Sequence, residues 1–136
     1  MTPTDVEVVR AAFASWDPDD FEAAAVHLHP EVEYREDPSW PGSETHRGRE
    51  AVMECFGGYD ALMGFSRSSV EQVVAVGDQV VVVLRVAVKP QGSAHSVEHR
   101  WGYVCRVREE RVGFFQAYVE PDEAFAAAAS GSAGAQ

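Results

Sequence analysis

The chain has 136 residues, of which 46% are hydrophobic and 10% aromatic, and this is enough apolar material for the core of one domain. Asp and Glu number 22 against 11 Lys and Arg, so the formal net charge is -11. This excess of acid argues against a nucleic acid or an anionic membrane as partner, because both require clustered basic side chains.

Two features predict the compartment. The first ten residues, MTPTDVEVVR, lack the basic and apolar regions of a secretory signal, and the longest purely aliphatic run, VVVVL, is too short to cross a bilayer. Cys55 and Cys105 lie far apart in apolar surroundings, which favours two buried thiols in a reducing environment. We therefore expect a cytoplasmic protein.

Two helices are predicted at the start of the chain. Thr4 and Glu7 have the spacing of a capping box, and the apolar stripe that follows recurs at helical spacing. The Asp17-Pro18 step is typical of a helix start, and Pro30 should end this second helix. The predicted stripe of the first helix consists of Val6, Val9, Phe13 and Trp16.

A sheet is predicted over most of the remaining chain. Residues 31–37 alternate as a short strand, a loop follows, and REAVMECFGGYDALM (49–63) indicates a third helix. Beyond it the apolar pattern changes to a period of two, and Gly77-Asp78 suits a tight hairpin turn. The four strands predicted here cover residues 65–76, 79–89, 94–108 and 111–120.

This order of elements indicates an α+β fold. Helices followed by a mostly antiparallel meander predict a curved, cone-shaped sheet closed by the N-terminal helices, with a pocket between the two. We assign residues 1–125 to this domain. The small and polar residues 126–136 are predicted to form a disordered tail.

Three sequence segments carry a resemblance to a known family. HPEVEYREDP (29–38), RGREAV (47–52) and FQAYVEPDEA (115–124), in this order among the predicted elements, resemble the SnoaL-like group of the nuclear-transport-factor-two-like superfamily. The superfamily includes polyketide cyclases and ketosteroid isomerases. The resemblance covers about residues 4–125 and implies the cone fold, while the same fold hosts both enzymes and binding domains.

The resemblance also implies roles for particular residues. Ketosteroid isomerases carry an acid-aspartate-proline step at this point, and anchoring on Pro38 puts Asp37 in the place of their general base. In those enzymes a tyrosine and a second acid form the oxyanion hole. Here the corresponding positions hold Phe13 or Ala12 on the first helix and a residue near Tyr103 on a late strand, so the isomerase set is incomplete.

The candidate base is left open between two residues. Strand alternation puts Glu36 on the same face as Val32 and Tyr34, whereas the proline-anchored resemblance favours Asp37. We expect the base to have a raised pKa because Tyr34 and Trp40 would desolvate it. Replacing it with its amide should then reduce turnover with little effect on stability.

The strand VEHRWGYVCRV supplies the other catalytic candidates. His99, Trp101 and Tyr103 share one face, which is too aromatic to face water, so we expect them to line the interior. Tyr103 or His99 would donate a hydrogen bond to a developing enolate oxygen. A structural role for His99, hydrogen-bonded to a backbone carbonyl, is an equally good interpretation. The residues predicted to contact substrate are Phe13, Tyr34, Trp40, Trp101, Gln116, Tyr118 and Glu120.

These features predict a cofactor-independent enzyme. It would move a proton next to a carbonyl in an apolar, oxygenated small molecule such as a polyketide-like ketone, giving isomerisation, dehydration or cyclisation. The alternative is a binding or dimerisation module without catalysis.

No histidine shows metal-ligand spacing to a cysteine or an acid cluster, so we expect no metal. The apolar outer face of strand 79–89 (Val81, Val83, Ala87) predicts a homodimer.

Overall fold

The computed structural model describes residues 3–16, 22–63, 65–89, 92 and 94–131. The described elements are α1 (Asp5–Ala14), α2 (Glu22–Ala25), β1 (Leu28–Arg35), β2 (Thr45–Arg47), α3 (Arg49–Met63), β3 (Phe65–Val76), β4 (Gln79–Val88), β5 (Val97–Arg108), β6 (Arg111–Tyr118) and α4 (Pro121–Ser130). The predicted α+β class is confirmed.

The first two helices differ in how well the sequence predicted them. The capping box at the start of α1 is confirmed, with the Glu7 amide donating to Thr4 Oγ1 and the Thr4 amide donating to Glu7 Oε1. The predicted second helix is wrong at its end, since α2 stops at Ala25 and Pro30 lies inside β1. Proline has no amide hydrogen to donate to a neighbouring strand. Pro30 is tolerated in β1 because the pairing of β1 with β6 shifts register between Leu28 and Glu33. The predicted start at Asp17 lies outside the described residues.

The six strands form one curved sheet in the order β2-β1-β6-β5-β4-β3. The pairs β3–β4, β4–β5 and β5–β6 are antiparallel, as the hairpin patterns predicted. The pair β1–β2 is also antiparallel, while β1 and β6 run parallel. The three-residue strand β2 lies in a segment that was predicted to be a loop, so its pairing with β1 was not predicted. This order places the first long strand beside the last one.

The main core lies between the concave face of the sheet and the helices α1 and α3. Val9 of α1, Val52 of α3 and Val82 of β4 are completely buried there. Helix α3 occupies the predicted range, 49–63. Among the described residues, no helix is both long and apolar enough to span a membrane.

A fourth helix covers the opposite, convex face of the sheet. Helix α4 continues to Ser130 and ends at Gly131, so the prediction of a disordered tail from residue 126 is wrong up to that point. Its alanines pack on Val81 and Val104, which are completely buried. Helix α4 therefore covers Val81, which was predicted to belong to an exposed apolar patch on β4. Val81 gives no support to the predicted homodimer.

Candidate functional site

A cavity of about 310 Å³ lies between the concave face of the sheet and the helices α1 and α3. This volume is at the lower end of the about 300–1,000 Å³ typical of small-ligand pockets. The described lining residues are Ala12, Phe13, Trp16, Ala24, Leu28, Tyr34, Trp40, Val52, Phe56, Ser68, Leu84, Val86, Trp101, Tyr103, Val112 and Phe115.

Strand alternation places the aromatic lining residues on the inner face. Trp101 and Tyr103 are two residues apart on β5 and pair with Leu84 and Val82 of β4, so all four side chains share the concave side. The prediction that Trp101 and Tyr103 point inward is confirmed by their place in the lining.

Aromatic contacts hold the walls together. The ring of Tyr34 stacks on Phe115 at 4.6 Å between centroids, and Phe13 lies 5.1 Å from Tyr103. Trp40, from the loop after β1, meets Trp101 edge-on at 5.4 Å. Such pairs stabilise one arrangement of the rings in addition to the area they bury. The structure thus brings four of the predicted substrate-binding residues to one cavity: Phe13, Tyr34, Trp40 and Trp101.

Tyr103 supplies a polar group in this apolar wall. Burial, with a smaller contribution from Cys105, raises the pKa of Tyr103 far above its ordinary value, so the hydroxyl stays protonated and neutral. The described residues include no hydrogen-bond partner for this hydroxyl. It can therefore donate to an oxygen atom of a ligand, but it cannot act as a base near neutral pH.

Asp37 lies outside the cavity lining and is completely buried. Its Oδ1 accepts hydrogen bonds from the Ser39 amide (2.7 Å) and the Ser39 hydroxyl (2.6 Å), and its Oδ2 accepts one from the Val119 amide (2.7 Å). Burial alone would raise the pKa of Asp37, but the three hydrogen bonds outweigh it and hold the pKa below its ordinary value. The expectation of a raised pKa is therefore wrong for Asp37, which ties the loop after β1 to the end of β6.

Glu36 lies on the same side of the chain as Tyr34, as strand alternation predicted, but it too is outside the described cavity lining. Its Oε2 is 2.7 Å from Nε2 of His46. The imidazole of His46 stacks on the ring of Tyr34 at 5.9 Å. Tyr34 therefore stands between the Glu36–His46 pair and the cavity.

His99 makes a hydrogen bond to a backbone carbonyl, as its structural interpretation predicted. Its Nε2 lies 2.9 Å from the carbonyl oxygen of Val119, which can only accept, so Nε2 carries the hydrogen. The ring also meets Trp101 edge-on at 5.1 Å. His99 is not among the described lining residues, and it supports Trp101 from the side.

The remaining predicted substrate-binding residues lie away from the cavity. Gln116 pairs with Val104 and shares the convex face with it, and Tyr118 packs there against α4. Glu120 is the exposed residue that precedes α4. Gln116, Tyr118 and Glu120 are therefore not part of the described cavity lining, because the pocket wall uses the other face of β6 through Phe115.

A cluster of three ligating side chains was missed in the sequence. Glu36, His46 and Cys55 each offer one atom, and these atoms all lie within 4.8 Å of one another. The expectation of no metal rested on the spacing of residues in the sequence, which does not show that His46 lies beside an acid and a cysteine in space. No spacing motif signals the cluster, because the three residues come from a loop, β2 and α3, and the β1–β2 pairing that joins them was not predicted.

Solved structures share this architecture. A nuclear-transport-factor-two-like protein of Burkholderia thailandensis superposes with a TM-score of 0.73 at 21% identity, covering 91% of this chain and 98% of that one. TerC, co-crystallised with polyporic acid, gives 0.72 at 18% identity, covering 92% and 97%. A Mesorhizobium loti protein assigned as a SnoaL-like polyketide cyclase gives 0.68 at 18% identity, covering 85% and 99%. At these identities the likeness shows the fold, which is a nuclear-transport-factor-two-like cone.

The family follows from the sequence itself. The model of the SnoaL-like domain matches residues 9–113, most of the chain, so this protein belongs to the SnoaL-like domain family. The predicted resemblance is thereby confirmed. A search of curated proteins finds no significant sequence match.

Proposed function

We propose that this protein binds an apolar, ring-containing small molecule that carries a carbonyl or hydroxyl oxygen, such as a polyketide-like ketone. The observation that carries the proposal is the cavity wall, whose described members include no carboxylate and no imidazole. Its polar groups are the hydroxyls of Tyr34, Ser68 and Tyr103 and the indole nitrogens of the tryptophans. Burial of an apolar ligand supplies the affinity, and a few hydroxyls orient it.

Two comparisons support this class of ligand. TerC was crystallised with polyporic acid, and the similar Mesorhizobium loti protein is assigned as a polyketide cyclase. Both have the cone that this chain forms around its cavity. The two candidate bases of the present protein, Glu36 and Asp37, are not among the described lining residues, so binding is the function that its geometry supports best.

The experiment uses the tryptophans as reporters, since all three in the chain, Trp16, Trp40 and Trp101, line the cavity. Fluorescence is measured while a hydroxynaphthoquinone or a matched aromatic hydrocarbon is added. Tyr103→Phe should weaken binding of the quinone by about 2- to 12-fold, the equivalent of one net hydrogen bond, and leave hydrocarbon binding unchanged.

Tyr118→Phe is the matched control, because it removes the same hydroxyl from the opposite face of the sheet. It should not change the affinity for either compound. Absence of any fluorescence change across a panel of ring compounds would overturn the proposal. An equal loss in both variants would show that the effect does not arise in the cavity.

The proton-transfer reaction predicted from the sequence remains a second candidate, and one observation favours Glu36 over Asp37 as its base. Both oxygens of Asp37 are engaged by amide and hydroxyl donors, whereas Glu36 lies one residue layer from the cavity, behind Tyr34. A base there reaches a bound ketone if the Tyr34 ring turns aside.

This second candidate is tested by exchange of the hydrogen next to the carbonyl of a bound ketone, followed by NMR in deuterated water. Catalysis predicts exchange that Glu36→Gln abolishes. A ketone that binds without exchange would leave the protein as a binding module.

A further inference from the structure

We propose that Glu36, His46 and Cys55 form a zinc site, separate from the apolar cavity. Each residue is half-buried, and one ligand atom from each lies within 4.8 Å of the other two. None of the three is among the described lining residues of the cavity. Thiolate, imidazole and carboxylate are the three ligand types that Zn²⁺ takes in proteins.

The three ligand atoms lie within 4.8 Å of one another, so each distance is within about 1.5 Å of that between ligands of a tetrahedral zinc ion. Zinc bonds of about 2.0–2.3 Å place neighbouring ligand atoms roughly 3.3–3.6 Å apart. Glu36 Oε2 and His46 Nε2 are 2.7 Å apart in their hydrogen bond, so they need to separate by less than about 1 Å. The ion would replace the hydrogen that these two atoms share. Three protein ligands leave the fourth position for water.

The scaffold around the three ligands is already fixed. Glu36 and His46 are held by the β1–β2 pairing, in which Tyr34 lies opposite His46 and the Glu36 amide donates to the Glu44 carbonyl. The imidazole is oriented by its stacking on Tyr34. Cys55 comes from α3, one turn after the buried Val52. An ion at this point would tie the edge of the sheet to the helix.

Charge also favours a cation here. A thiolate and a carboxylate together carry two negative charges, which a divalent ion neutralises, and the whole chain has a formal net charge of -11. The exposed fractions of the His46 and Glu36 side chains are 18% and 13%, so an ion can reach them from solvent. The short strand β2 forms the outer edge of this site.

The test begins with the full chain after treatment with a chelator. Addition of Co²⁺ should give the near-ultraviolet charge-transfer band of a cobalt–thiolate bond, and one equivalent of Zn²⁺ should remove the band by displacement. Cys55→Ser should abolish the band even though Cys105 is still present, because Cys105 is completely buried. His46→Gln and Glu36→Gln should each lower zinc affinity by more than the about 10- to 100-fold that loss of a second-shell partner costs.

Glu54→Gln is the control, since it removes an exposed carboxylate next to Cys55 on the same helix and should not change zinc affinity. Tyr103→Phe should also bind zinc normally, which separates this site from the ligand cavity. Circular dichroism confirms that each variant is folded.

A second readout does not depend on cobalt. Zinc should raise the midpoint of thermal unfolding of the natural chain but not of Cys55→Ser, and it should protect Cys55 from iodoacetamide. A natural chain that shows no thiolate band, or a Cys55→Ser variant that retains it, would overturn the proposal.

Discussion

Replacing Asp37 with Asn should destabilise the protein strongly, although the two side chains have almost the same shape. Asp37 is completely buried, and its two oxygens accept three hydrogen bonds. An Asn oxygen in the place of Oδ1 can still accept both bonds from Ser39. Its NH₂ group, however, then faces the Val119 amide, which is itself a donor and loses its partner.

The magnitude follows from the hydrogen bonds. A buried donor without a partner costs about 1–3 kcal/mol, and bonds to a charged acceptor contribute about 1.5–3 kcal/mol against about 1 for neutral ones. Asp37→Asn should therefore lower the free energy of unfolding at pH 7 by about 2–4 kcal/mol. Ser39→Ala is the control, since it removes the hydroxyl and keeps both amide bonds, and it should cost about 1 kcal/mol.

The pH dependence gives a sharper test. The pKa of Asp37 in the folded protein lies below its ordinary value of 3.8. The stabilisation by the carboxylate is therefore fully present above about pH 3.8 and is lost as the pH falls through the lower, folded pKa.

Urea unfolding followed by tryptophan fluorescence at several pH values should show a gap between the natural chain and Asp37→Asn that narrows below about pH 3.8. Equal stabilities at pH 7, or a gap that does not change with pH, would refute the structural role of the carboxylate. The sequence-based expectation was the reverse, because it treated Asp37 as a pocket base whose loss leaves packing intact.

Two further predictions concern the backbone. Glu109 and Glu110 form the turn between β5 and β6 with φ of 52° and 64°, so Glu110→Gly should raise the free energy of unfolding by about 0.5–1 kcal/mol, and an unchanged urea midpoint would contradict this. Gly102→Ala should cost about 1–3 kcal/mol, since the added Cβ would lie 2.7 Å from the Ala124 Cβ and 2.9 Å from the Pro121 Cα. Its melting temperature should recover only partly when Ala124→Gly is added, because the Pro121 backbone stays in place.

The sequence predicted the fold well where periodicity was strong. The long strands, α3 and the capping box of α1 were found from alternation, helical spacing and a local motif. The errors fall where tertiary contacts override local signals. The second half of helix α4, residues 126–130, was taken for a disordered tail because its alanines show no apolar stripe of large side chains. The burial of α4 depends on its packing against Val81 and Val104 of the sheet.

The site was predicted less completely than the fold. Alternation found Trp101 and Tyr103, and chain order together with aromatic content found Tyr34 and Trp40. None of these patterns could show that Asp37 turns toward Val119, since that contact joins residues 82 positions apart. The metal-ligand cluster escaped for the same reason, because β2 is too short to be recognised from its own residues.

The pairing of β1 with β6 has a consequence for how the protein folds. The hairpins from β3 to β6 are local, but β1 must cross most of the chain to reach its parallel partner, and contacts between such distant residues form slowly. Tyr34 and Phe115, which stack across the cavity wall, belong to these two strands. We therefore expect the pocket to be completed last, so that a chain emerging from the ribosome gains its ligand site only after β6 has been synthesised.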